Sequence, residues 1–324
     1  MRIVNTYRYY SNIYKNYKRG KAFCKDYQVK LYNWFPPFME QDLWLSKFIE
    51  GRGLLKNKPK LSVGAFTIAG KESFIRLNPC RLKIFVAREN LAFRPQWHDF
   101  MLHAPCLDLS IGFDDIRDNP KYIHVPFWIM WALDPLETYE GIKEKVKFWN
   151  SPSNSSYQDR KFCAFLCSHG DKGREMIYEE LSKVDHMSSA GRWMHNDDSL
   201  KAEFGDNKLS WLKHFRFNLT PENSNSPGYV TEKLLEAVQA GCVPIYWGGA
   251  GNPDSNIFNK EAILFFEMGQ SNQDVVNLIA DLNTDEKKYM DFATQKRFVD
   301  GADEVIWGYY ESLENKLREI ISNV

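Results

Sequence analysis

Residues 217–249 leave the backbone few choices. A short apolar run, Phe217-Asn218-Leu219-Thr220, gives way to a polar loop over 222–228. Val230, Leu234, Ala237, Val238 and Gly241 then recur at helical spacing, and 242–247 form a second apolar run. Strand, loop, helix and strand in that order predict an α/β unit. In such a unit the loop and the helix N-terminus lie at the carboxyl edge of the sheet, where free backbone N–H groups and the helix dipole favour an anion, and a phosphate fits there. Lys233 falls near the helix start, where a cation opposes the dipole by about 0.3–1 kcal/mol unless something negative lies between them. Glu232 beside it has the favourable sign. Residues 223–228 also read as a plain turn with Lys233 pointing to water, and spacing alone leaves both readings open.

At 324 residues the chain is too long for one typical core, so two domains of about 150 residues are expected. The polar segment 150–156 divides them, giving an N-terminal domain 1–149 and a C-terminal domain 150–324. With 42 basic and 42 acidic residues the net charge is zero, which removes the global field of a nucleic-acid binder, so any anion site must be local. The six cysteines read as reduced, small core residues; Cys163 and Cys167, placed on one face of a strand, lack two further ligands for a metal. No run of about 18 apolar residues marks a membrane span, and no signal peptide is legible. The wealth of Tyr, Trp and Phe fits a sugar site and an ordinary core alike.

Along the first half, 29–34 alternates as a strand and runs into the rigid turn 35–38, followed by a short helix over 41–49. Further strands are predicted at 61–66, 82–87, 107–113 and 122–131, the second of these leading into Arg88-Glu89-Asn90. Residues 1–24 are basic and tyrosine-rich without a clean period: a loosely packed start or a first helix, with contact to anionic lipid as the alternative. In the second half, 161–167 is a strand and 172–184 a helix with Arg174 in its first turn; 275–282 and 304–321 are helical, the last long enough to pack across two domains. His98, His103, His169 and His195 have no partner at ligand spacing and read as structural. Asp114-Asp115 and Asp197-Asp198 read as turn residues, and no Asp-x-Asp occurs.

The blocks Glu222-Asn223-Ser224, Gly228-Tyr229-Val230-Thr231-Glu232-Lys233 and Val243-Pro244-Ile245-Tyr246-Trp247-Gly248 resemble the signature of the α1,3/4-fucosyltransferases, inverting enzymes that take L-fucose from GDP-fucose. Pro221 stands where that family usually has an aromatic residue. Asn33-Trp34-Phe35-Pro36-Pro37-Phe38, the strand ending in Glu89-Asn90, Ser110-Ile111-Gly112-Phe113-Asp114 and Val125-Pro126-Phe127 are similar to the family's N-terminal order. The likeness is tight over 215–250 and loose over 30–270. It implies an α/β fold of two Rossmann-like domains facing a cleft, the GT-B architecture, with the donor on the C-terminal half. By the same resemblance Glu89 is the general base, Arg174 and Lys233 hold the diphosphate, and Glu232 accepts the donor ribose hydroxyls. Asn223 and Tyr229 line the donor pocket, and Trp34 and Phe35 meet the acceptor. The expected substrates are GDP-β-L-fucose and an N-acetyllactosamine-type oligosaccharide, fucosylated at O3 or O4 of N-acetylglucosamine, with no metal or other cofactor required. A cytoplasmic protein with no nucleic-acid partner and at most peripheral membrane contact is expected. Two alternatives stay open: a related transferase using another nucleotide sugar, and a non-catalytic carbohydrate-binding protein, although the latter has no use for Glu232 and Lys233.

Overall fold

Among the described residues, 2–324 in this computed structural model, ten short strands pair in parallel to make two five-stranded sheets. Two units result. One runs to Thr138 and takes back Trp307–Val324, and the other is Tyr139–Ile306.

The first sheet has the order β1 (Val29–Tyr32), β2 (Val63–Phe66), β3 (Leu82–Val86), β4 (Leu109–Gly112) and β5 (Tyr122–His124). The three central strands are buried on both faces, which is why they read as mostly apolar runs, broken by Lys83 and Ser110, and not as alternation. Residues 2–23 form a helix, Arg2–Phe23, that packs on β1. Tyr17 stacks on Tyr32, and Asn16 Nδ2 donates to the Trp34 carbonyl at 2.8 Å. The segment expected as one strand over 122–131 is instead β5 followed by the helix Phe127–Ala132. Pro126, with no N–H to give a ladder, sits at the N-cap, and the helix buries Trp128 and Ile129. The long C-terminal helix, Ala302–Ser322, joins the first unit from Trp307 onward. It is held there by Tyr310 Oη on the Asp134 carbonyl at 2.8 Å and by Arg52 on Glu314 at 2.9 Å.

The second sheet runs β10 (Leu264–Phe265), β9 (Val243–Trp247), β8 (Phe215–Pro221), β6 (Lys161–Phe165), β7 (Met187–Ser189). Alternation along β6 sends Cys163 and Phe165 to a core shared with Ile177 and Val276, and Ala164 to the opposite face with Trp211 and Ala237. Residues 150–156 are part of this unit. The Asn150 amide exchanges hydrogen bonds with the Phe298 backbone at 3.2 and 2.8 Å, and Asn154 Nδ2 donates to the Val238 carbonyl at 3.0 Å. The change of unit therefore falls at Thr138, before the helix Tyr139–Trp149, and not in this polar stretch. No helix among the described residues is long and apolar enough to cross a membrane.

Candidate active site

The chain leaves β6 for β7 on one side and returns to β8 on the other, so strand order reverses between β6 and β8. Loops departing from the carboxyl ends of two such strands diverge and open a crevice, the usual ligand position in open α/β sheets. A cavity of about 560 Å³ lies there. Its wall is Leu166 to His169 after β6, Asn218 to Pro221 and Asn223 at the end of β8, and Arg174, Glu232 and Lys233 from the two following helices.

Each helix delivers its side chain for a local reason. Asp171 caps Lys172–Ser182 by accepting from the Arg174 N–H at 3.0 Å, which fixes Arg174 in the first turn. Arg174 is buried, and its guanidinium spans the two loops. Nη1 donates to the His169 carbonyl at 2.7 Å and contacts Cys167 Sγ at 3.3 Å, while Nη2 donates to the Glu222 carbonyl at 2.8 Å and Asn223 Oδ1 at 3.3 Å. Arg174 thus ties the crevice walls together and leaves its charge at the cavity.

The helix Glu232–Gln239 is anchored by Glu222, whose side chain is wholly buried. Glu222 Oε1 accepts the Thr231 N–H at 2.7 Å, satisfying one of the helix's orphan donors; Oε2 accepts Thr231 Oγ1 at 2.6 Å and Lys233 Nζ at 2.9 Å. Lys233 Nζ also donates to Thr231 Oγ1 at 3.0 Å. An ammonium has three N–H donors, so one remains without a protein partner among the described residues, at the cavity wall. Burial works against the charge on Lys233, but the carboxylates of Glu222 and Glu232 outweigh it and hold its pKa above the ordinary lysine value. Glu232, half-buried at the first helical position, faces the same cavity. So does Lys208, which is paired with Glu236.

Of the residues singled out from the sequence, Arg174, Asn223, Glu232 and Lys233 therefore share one cavity. Tyr229 does not line it; at 2% exposure its ring belongs to the core. Glu222 and Lys208 join the site without a role predicted from the sequence. Glu222 carried a signal, as an acid directly following an apolar strand. Lys208 carried none.

Glu89, Trp34 and Phe35 belong to the first unit, beyond the carboxyl ends of β3 and β1. Glu89 is partly exposed between two residues pinned inward. The Arg88 guanidinium pairs with buried Asp42 and lies over the rings of Trp34 and Trp131 at 5.3 and 4.8 Å. Asn90 Oδ1 accepts from the Ala92 N–H at 3.0 Å. Trp34 is buried and Phe35 is exposed. Two of the four histidines have structural partners: His98 Nε2 is 3.4 Å from Asp114, and His195 bridges Asp198 and the Gly191 carbonyl, each at 2.9 Å. Among the described residues no three His, Cys, Asp or Glu side chains converge as a metal site.

Residues 156–312 match the family described as glycosyltransferase family 10 (fucosyltransferase), C-terminal part. The chain is 24% identical over 215 residues to the α-(1,3)-fucosyltransferase FucT of Helicobacter pylori, covering 57% of this chain and 42% of that protein. It is 29% identical over 191 residues to α-(1,3)-fucosyltransferase B of Drosophila melanogaster, covering 54% and 41%. To GDP-fucose protein O-fucosyltransferase 3 of Xenopus tropicalis it is 28% identical over 206 residues, covering 60% and 42%. The chain thus spans about two fifths of these relatives' length. A crystal structure of an α1,3-fucosyltransferase with GDP-fucose superposes with a TM-score of 0.55 at 18% identity, covering 86% of this chain and 88% of that one. The fold is the same GT-B plan of two parallel-sheet α/β domains.

Proposed function

This chain belongs to glycosyltransferase family 10, the fucosyltransferases, and from that premise we propose that it transfers L-fucose from GDP-β-L-fucose to an oligosaccharide hydroxyl with inversion at the anomeric carbon. The observation that carries the reading is the cavity at the strand-order reversal, where Lys233 keeps an N–H available beside Arg174 and Glu232. The acceptor oxygen attacks the anomeric carbon as the bond to the β-phosphate oxygen breaks. Lys233, with the charge of Arg174 behind it, stabilises the negative charge gathering on departing GDP. Glu232 accepts hydrogen bonds from the ribose hydroxyls. Glu89 takes the acceptor proton, and Trp34 and Phe35 border the acceptor. No metal is needed in this scheme.

The acceptor in this reading is N-acetylglucosamine in a galactose-containing chain, fucosylated at O3 or O4. Similarity to a GDP-fucose protein O-fucosyltransferase favours a second reading in which the hydroxyl belongs to a protein. Thermal shift tests the donor: GDP is expected to raise Tm, because a ligand bound only by the folded state stabilises it. Stabilisation by UDP in its place would overturn the donor assignment. Incubation with GDP-fucose and, in parallel, type 1 disaccharide, type 2 disaccharide and acceptor peptides, followed by linkage analysis, separates the acceptors.

A further inference from the structure

The first unit carries a groove of about 1140 Å³, larger than the donor cavity, between the helix Arg2–Phe23, the carboxyl ends of β1 and β2, and the segment 74–79 that leads into β3. Tyr10, Tyr14 and Tyr17 line it from successive turns of the helix, and they are 49%, 57% and 40% exposed. A stripe of large rings at this spacing is ordinarily the buried face of a helix. Here the rings are about half-exposed, Tyr10 with Phe74 edge-on at 6.4 Å and Lys71 over its ring at 5.5 Å. Tyr17 stacks on Tyr32 at 5.5 Å and 18°, and Tyr32 on Phe66 at 5.4 Å and 24°, so a ladder of rings crosses from the helix to β1 and on to β2. Amide side chains lie among the rings. Asn12, Asn16, Asn33 and Asn78 all line the groove. Asn33 ends β1 in the left-handed region at φ 54° and is tied to Lys71 through its side chain.

Flat apolar faces interleaved with groups that both donate and accept hydrogen bonds match a sugar ring, which has an apolar C–H face and a rim of hydroxyls. Tyrosine supplies this contact at small entropic cost, having two rotatable side-chain bonds. The groove also sits at a telling edge. β1, β2 and β3 are parallel neighbours, so Asn33, the loop after Phe66 and Glu89 all leave the same side of the sheet. With strands about 4.8 Å apart, the end of β1 is about 10 Å from that of β3. We propose that this groove binds the part of an oligosaccharide acceptor remote from the hydroxyl that takes fucose. This rests on the reading of Glu89 as the base at that hydroxyl.

The test uses the full chain and a Tyr14→Ala variant; Tyr14 is 57% exposed, so Tm should not move. Transfer is measured on a disaccharide and a hexasaccharide of the same galactosyl–N-acetylglucosamine repeat. The variant is expected to raise KM for the hexasaccharide about tenfold, equivalent to about 1.4 kcal/mol, with kcat and the disaccharide KM unchanged. Equal effects at both lengths, or none, overturn the proposal. If the unaltered protein transfers to neither glycan, the acceptor reading itself fails. The groove is then judged by titrating the hexasaccharide in the absence of donor, where weaker binding by the variant supports a sugar groove and unchanged binding overturns it. Loss of binding to anionic phospholipid vesicles with glycan binding untouched also overturns it and assigns the face to a membrane surface.

Discussion

Glu222 concentrates several tasks in one carboxylate: it satisfies the Thr231 N–H and hydroxyl, receives Tyr246 Oη at 3.3 Å, and holds Lys233. Removing one partner of a buried pair leaves the other uncompensated, so Glu222→Gln is expected to lose about 3–5 kcal/mol of stability in urea unfolding. The pH response follows in sign. A lysine whose folded pKa is raised lends stability that is fully present below the unfolded value and is lost as pH rises through the higher folded one. Without the Glu222 charge the burial of Lys233 acts with less opposition, so alkaline unfolding of the variant should begin at lower pH than in the parent; coincident alkaline limbs would refute the linkage. Glu89 makes a different kind of prediction. General-base catalysis contributes about 10²–10⁴-fold, so Glu89→Gln should lower kcat by that factor while GDP still raises Tm as before. Wild-type turnover by this variant would remove Glu89 from the mechanism.

At the scale of elements, the β8–helix–β9 unit was legible because period, punctuation and length agree over 217–249, and the structure follows with β8, Glu232–Gln239 and β9. The segment 122–131 was not, because a continuous apolar run has no period to separate a buried strand from a short buried helix. Pro126 was the one local mark of the change. The 150–156 stretch looks like a linker by composition, yet its amides replace backbone partners for Phe298 and Val238, and composition does not reveal such pairing. The candidate site was readable where charge coincides with a helix start, as at Arg174 and Lys233; Tyr229 shows that a motif position does not say which way a ring points. Gly241 closes the donor helix at φ 73°, and an added Cβ would meet the Asn154 carbonyl oxygen at 1.7 Å. Gly53, at φ 68° after another helix, has nothing within 4 Å of the same added atom. Gly241→Ala is therefore expected to cost about 3 kcal/mol or more, and Gly53→Ala about 1 kcal/mol, from backbone strain alone. Similar urea midpoints for the two variants would contradict the packing assigned to Asn154.

For the whole molecule, zero net charge means that no long-range field draws an anion, so recognition of the proposed donor would fall to what lines one cavity. Arg174, Lys208 and Lys233 line it against one lining carboxylate, Glu232. Arg174 is braced by four contacts and by the Asp171 carboxylate at 3.5 Å, and Lys233 by two, so these charges are fixed before the leaving group develops its own, which is the condition under which they stabilise a transition state most. Side chains placed in this way supply the counter-charge that a divalent ion supplies elsewhere. We therefore expect transfer to proceed at the same rate in EDTA as in added magnesium or manganese. Lys233→Ala should lose GDP stabilisation and transfer together, and neither metal should restore them. If the chelated enzyme stops and a divalent cation restarts it, the charge on departing GDP is carried by an ion, and Lys233 is left as the partner of Glu222 that anchors the helix.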